Sequence, residues 1–147
     1  MNTIIDIARA EIGTMESPAN SNMTKYGEWF GLQSVPWCAI FVSWVYAHAG
    51  HRLPIIGYTN GMAGCQTAYH YFKTKNLLVK SPVPGDIVLY DWQGDGRYDH
   101  VGIFEIDMGN GKFSAIEGNT SLVNDSNGGE VMRRTRSYAQ AVFARPQ

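Results

Sequence analysis

Ser34-Val-Pro-Trp-Cys-Ala-Ile-Phe-Val-Ser-Trp-Val-Tyr-Ala-His-Ala-Gly50 is the most apolar run of the chain, and a cysteine stands at its front. Pro36 fixes its own φ near the helical value and pushes Val35 out of the α region, which predicts a helix from Pro36 with Ser34 as its cap. Gly50 closes the run as a left-handed C′ residue would. Roughly 14 residues between those signals are too many for a buried strand and ordinary for a helix. Cys38 then falls in the first turn, where unpaired N–H groups and the positive end of the helix dipole stabilise a thiolate. That placement suits a nucleophile, but free cysteines are more often inert core residues. The neighbours Trp37, Ile40, Phe41 and Trp44 are compatible with either reading.

Length and composition narrow the classes. The 147 residues, 44% hydrophobic and 12% aromatic, fit one domain spanning 1–147 with a single core. A formal net charge of −1 gives no basic footprint for nucleic acid or an anionic membrane surface. No apolar run reaches the roughly 18 residues that a membrane-spanning helix needs. The stretch Met1–Ala10 mixes Asp6 and Arg9 with isoleucines and does not read as a secretory signal, so action outside the cytoplasm would need release or another export route. The two cysteines, Cys38 and Cys65, form neither a disulfide framework nor a C-x-x-C or zinc pattern. Cys65 reads as a helix-packing residue.

Around the central run, residues 3–12 form an amphipathic pattern with Thr3 as cap and Gly13 as stop, and residues 24–30 suggest a short helix. Asn60 to Asn76 repeats Met62, Cys65, Tyr69 and Phe72 at helical spacing, predicting a third main helix. From Ser81-Pro-Val-Pro-Gly85 onward the period becomes alternating. Strands are expected at 86–92, 99–106 and 112–119, with two more at 130–137 and 141–144. Helices followed by a strand meander define an α+β fold with the cysteine helix packed on an antiparallel β-sheet.

A nucleophilic Cys38 requires a base and a group that orients the base. His48 lies about 15 Å along the same helix at 1.5 Å per residue, His51 lies beyond it, and His70 falls in the third helix. His100, opening a strand after the Gly94-Asp-Gly96 turn, can project from the sheet rim and is the base by elimination. In an antiparallel pair an odd register sum puts His100 on one face with Glu117 and Asn119. A sum of 217 sets Glu117 opposite His100 and a sum of 219 sets Asn119 there. Solvent-facing Glu117 and Asn119 remain the alternative, because half-buried sheets carry polar outer faces.

Four ordered motifs, Pro36-Trp-Cys-Ala-Ile-Phe-Val-Ser-Trp44, Pro84-Gly-Asp-Ile-Val-Leu-Tyr-Asp-Trp92, Asp99-His-Val-Gly-Ile-Phe104 and Ile116-Glu-Gly-Asn-Thr-Ser121, resemble the CHAP family (cysteine, histidine-dependent amidohydrolase/peptidase) of the NlpC/P60, papain-like superfamily. The resemblance runs from about Ile12 to Phe143, and Glu16–Tyr26 resembles a phage-associated, endolysin-like branch. It implies a peptidoglycan hydrolase cutting either the N-acetylmuramoyl-L-alanine amide or a stem or cross-bridge peptide bond. It also implies Cys38 as nucleophile, His100 as base, Glu117 as orienter and Asn119 as an auxiliary polar residue near the histidine. Trp37 departs from the small or amide residue common before the cysteine, leaving the Cys38 N–H as the nameable oxyanion donor.

No cofactor is implied. Asp91, Asp95 and Asp99 lie at EF-hand-like spacing, but the twelfth position is Gly102 rather than Glu, so a metal-free turn is favoured over a calcium loop. Tyr26, Trp37 and Trp92 are candidate substrate-stacking aromatics. The expected state is a monomer, with a holin or a targeting protein as the candidate partner. Two rival functions stand beside wall hydrolysis: a papain-like effector acting on a protein, and a glycan-binding module without catalysis.

Overall fold

The computed structural model describes residues 3–146; Met1, Asn2 and Gln147, which the single-domain and N-terminal readings include, lie outside them. The helices are α1 (Ile4–Ala10), α2 (Lys25–Phe30), α3 (Cys38–His48) and α4 (Cys65–Thr74). The strands are β1 (Gly57–Tyr58), β2 (Gly61–Met62), β3 (Leu78–Val79), β4 (Ile87–Tyr90), β5 (His100–Gly109), β6 (Lys112–Thr120), β7 (Glu130–Ser137) and β8 (Ala141–Ala144). This is the expected α+β arrangement of early helices on a later antiparallel sheet.

Helix α3 is enclosed on nearly every side: Ala39, Ile40, Phe41, Val42, Ser43, Val45 and Tyr46 are all buried. A helix apolar all round has to lie inside the molecule, and each large aliphatic or aromatic side chain so buried contributes about 1.5–3 kcal/mol. The helix starts two residues later than its proline suggests. Ser34 sits at φ 64°, its N–H donating to Asn22 O, and Trp37 is the N-cap. Ser34 is therefore a turn residue rather than the cap, and Cys38 becomes the first helical residue. Gly50 does take the left-handed φ of 81° that ends the helix.

The main sheet has the order β3-β8-β4-β5-β6-β7 with antiparallel neighbours throughout. β4 to β7 form the expected meander. β8 instead returns to pair with β4, so β4 is flanked on both sides, which accounts for its unbroken Ile-Val-Leu-Tyr run. One sheet face, through Leu89, Val101, Ile103 and Ile116, joins the core around α3. The other carries Tyr90, Phe104, Phe113 and Phe143.

Helix α4 is shorter than the periodicity predicts. Gly57–Tyr58 and Gly61–Met62 pair as a two-stranded ribbon, and Met62 N–H donates to the buried Ser43 Oγ at 3.0 Å. Those bonds hold residues 57–62 as a hairpin, so the helix starts only at Cys65, after an extended Gly64. Cys65 thus lies in a first turn rather than at a mid-helix packing position.

Candidate active site

The nucleophile candidate is placed by close packing of α3 on β6. A Cβ on Gly118 would stand 2.7 Å from Phe41 Cβ and 2.8 Å from Trp37 Cζ3, so glycine lets the strand backbone touch the helix. Trp37 anchors the helix start from the other side. Its indole is buried, stacks on Tyr26 at 5.6 Å, and donates from Nε1 to Glu16 Oε2 at 3.0 Å. Tyr26 is likewise buried, its hydroxyl donating to Glu11 at 2.7 Å. Neither ring offers a face to a ligand, so the stacking role expected of Trp37 and Tyr26 is corrected to a structural one. Trp92 stays half-buried, its Nε1 donating to Ser126 Oγ at 2.7 Å.

His100 opens β5 and is fully buried. The register beside it, Ile103↔Ile116 and Phe104↔Ala115, sums to 219. Continued toward the strand start, it sets His100 opposite Asn119 and Gly102 opposite Glu117. Yet the contact is to Glu117, with His100 Nε2 3.0 Å from Glu117 Oε1. Gly102 explains the diagonal: a Cβ there would stand 2.6 Å from Glu117 Cγ, so only its absence lets the glutamate fold across to the imidazole. Asn119 adopts φ 59°, and its side chain turns into the loop that follows. There Oδ1 accepts from Gly129 N–H at 3.0 Å and Nδ2 donates to Asn127 at 3.1 Å. The place of Asn119 is accordingly the 121–129 loop, and its amide is not spent on the histidine.

Glu117 is also fully buried, and its counter-charge comes from a residue that sequence reasoning missed. Arg136 on β7 donates Nε to Oε2 at 2.9 Å and Nη2 to Oε1 at 2.5 Å. A third bond runs from Arg136 Nη1 to Asp125 at 2.9 Å. The guanidinium lies 4.8 Å from the Trp92 ring centroid and 5.5 Å from that of Tyr90. The signal available beforehand was the unpaired charge itself: a carboxylate on a buried strand needs a cation, and 130–137 carries three arginines.

These neighbours set the protonation states. Burial alone would raise the Glu117 carboxyl, but the Arg136 bonds and the His100 charge outweigh it and hold the group ionised, well below the usual range. An ionised carboxylate only accepts, so His100 Nε2 carries hydrogen. Burial alone would lower the imidazole; Glu117 and then Cys38 overcome it and raise His100 to about 9. Cys38 is drawn well below the usual thiol range, first by the Cys65 hydrogen bond and then, against burial, by His100 and the Val101 N–H. The two sulfurs lie 3.8 Å apart. His100 Nδ1, on the cysteine side, is buried and makes no closed hydrogen bond among the described residues. The thiol and the ring are therefore electrostatic neighbours.

Cys38 opens on a cleft of about 500 Å³ whose walls include Leu32, Val35, Tyr58, Tyr98 and Ser126. The neighbouring acidic loop is knit by its own backbone. Asp91 accepts from the N–H groups of Gly94, Asp95 and Gly96 at 2.9, 3.2 and 2.8 Å. Asp95 accepts from Arg97 N–H and Asp99 from Trp92 N–H, both at 3.0 Å. Among the described residues no three His, Cys, Asp or Glu side chains converge as metal ligands.

An α+β scaffold with a cysteine at the first turn of its buried helix and a histidine at the facing strand start defines a class, the cysteine-dependent hydrolases. The family model described as CHAP domain matches residues 30–119, more than half of the chain, and the chain belongs to that family. Three solved structures share the fold. An N-acetylmuramoyl-L-alanine amidase from Staphylococcus aureus superposes with a TM-score of 0.54 at 14% identity, over 78% of this chain and 31% of its own. The wild-type endolysin LysIME-EF1 gives 0.54 at 13% identity, over 97% of this chain and 62% of its own. Ly7917 gives 0.52 at 15% identity, over 97% and 61%. The chain thus spans less than two thirds of the length of each. No curated protein matches it. Among the described residues no helix is long and apolar enough to cross a membrane.

Proposed function

We propose that this chain is a peptidoglycan hydrolase cutting an amide bond, with Cys38 as nucleophile, His100 as general base and acid, and Glu117 orienting the imidazole. The observation that carries this reading is the buried line from Cys38 through His100 to Glu117 and Arg136, opening on the cleft at its sulfur end. Membership of the CHAP family and the likeness to an amidase and an endolysin support the wall as substrate.

In this reading the Cys38 thiolate attacks the amide carbonyl, and the unpaired N–H groups at the start of α3 stabilise the oxyanion. His100 protonates the leaving amine, then draws a proton from water as it hydrolyses the thioester. Glu117, held by Arg136, keeps Nε2 protonated and Nδ1 aimed at sulfur. Trp92, half-buried, is the remaining aromatic candidate for substrate contact. The bond is either the muramoyl-alanine amide or a peptide bond of the stem or cross-bridge. A holin or a targeting protein is the partner that this activity would call on.

The test is turbidity loss of purified cell walls. Cys38→Ala and His100→Ala abolish it and Glu117→Ala reduces it strongly, whereas lysis retained by Cys38→Ala overturns the mechanism. Zymography on peptidoglycan with Cys38 alkylated separates this reading from a protein-directed effector and from a glycan-binding module.

A further inference from the structure

The mechanism uses Cys38 as nucleophile and gives Cys65 no chemical step of its own, although these two cysteines, the only ones in the chain, share one site. Each is the first residue of its helix, Cys38 after Trp37 and Cys65 after Gly64. The late start of α4, imposed by the β1–β2 ribbon, brings Cys65 there. Both are free thiols, their sulfurs lie 3.8 Å apart, and both line the same cleft, so a small solute that reaches one reaches the other.

We propose that Cys38 and Cys65 form a reversible disulfide across the cleft that closes the nucleophile under oxidising conditions and releases it when thiols are restored. The bond itself follows from the geometry of the pair; its effect on activity rests on the role of Cys38 proposed above. A disulfide needs the sulfurs at about 2.0 Å, so forming it closes the pair from 3.8 Å.

The oxidant is a low-molecular-weight disulfide. The Cys38 thiolate attacks one of its sulfurs, the S–S bond breaks, and one small thiolate leaves, giving a mixed disulfide on Cys38. Cys65 loses its proton to solvent and its sulfur attacks the Cys38 sulfur. The intramolecular bond forms and the second small thiolate leaves and is protonated. Two protein thiols are oxidised, and one small disulfide is reduced to two thiols. The environments suit this division of labour. The Cys38 bond and burial push the Cys65 thiol up, with Asp99 adding to the effect, so Cys65 stays protonated as a resolving thiol beside a reactive thiolate.

The experiment treats the full chain with oxidised glutathione and reads intact mass, free-thiol content and wall hydrolysis together. The expected product has lost two hydrogens and both free thiols, carries no glutathione and does not hydrolyse walls; dithiothreitol reverses all of these. Cys65→Ala instead accumulates a stable glutathione adduct on Cys38. Wild type that stops at the same adduct, or keeps both thiols free, overturns the proposal, as does full wall hydrolysis by the oxidised protein. A reduced protein that is inert on walls yet forms the bond supports the disulfide and counts against the functional reading alone.

Discussion

Replacing Arg136 with methionine removes the only arginine bonded to Glu117 among the described residues while keeping most of the side chain's volume. Arg136 is 7% exposed and Glu117 fully buried, so the change strands a carboxylate in the interior instead of returning it to water. The magnitude follows from the titration of Glu117. Arg136 and His100 together bring it from the usual 4.5 to about 2, which at roughly 1.36 kcal/mol per pKa unit is about 3 kcal/mol of stability shared between the two partners, and Arg136 supplies the larger hydrogen-bond part. Loss of one partner from a buried ion pair costs about 3–5 kcal/mol, in agreement. Because the native pKa is depressed, this contribution is complete above the usual 4.5 and is lost as pH falls towards about 2. The destabilisation of Arg136→Met is therefore largest at neutral pH and narrows on acidification below the usual 4.5. Urea denaturation of both proteins at neutral pH and at about pH 3 measures it. Arg136→Lys, which keeps the charge without the bidentate fork, recovers part of the loss. A gap below about 1 kcal/mol at neutral pH, or one that fails to narrow in acid, refutes the assignment of Arg136 as the counter-charge.

Further outcomes follow from the same geometry. His100 is raised to about 9, so wall hydrolysis falls as pH rises through about 9 and the acid needed by the leaving amine is lost; Glu117→Gln moves that alkaline limb to lower pH in a pH–rate profile. Gly102→Ala places a methyl 2.6 Å from Glu117 Cγ and dislodges the carboxylate, lowering kcat more than it raises KM, with about 1–3 kcal/mol of stability lost in thermal unfolding. Calcium titration by calorimetry gives no binding heat at the 91–99 loop and chelation leaves hydrolysis unchanged; a saturable signal lost in Asp95→Asn would show otherwise.

Much of this organisation was legible in the sequence because it rests on local signals. Pro36 and Gly50 bracket α3, alternation from Asp86 onward marks the sheet, and the turn before His100 places it at a strand start. What escaped was set by distant groups. The start of α4 depends on Ser43 binding Met62 N–H, a tertiary contact that overrides helical periodicity, and with it went the position of Cys65 beside Cys38. Register arithmetic grouped His100, Glu117 and Asn119 on one face, but alternation assumes extended backbone, and Asn119 leaves it at φ 59°. The choice between Glu117 and Asn119 was decided instead by the missing side chain of Gly102. Trp37 and Tyr26 show the limit of composition as a guide to binding surfaces, since an aromatic beside a nucleophile serves equally as a wall of the core.

The most direct test digests purified peptidoglycan with wild type and Cys38→Ala in heavy-oxygen water and reads the released fragments by mass spectrometry. The account predicts that every new end made by wild type is a free amine or a carboxylate carrying one solvent oxygen, and that Cys38→Ala releases nothing. Fragments cut at glycosidic bonds, or the same amide products from Cys38→Ala, would contradict it.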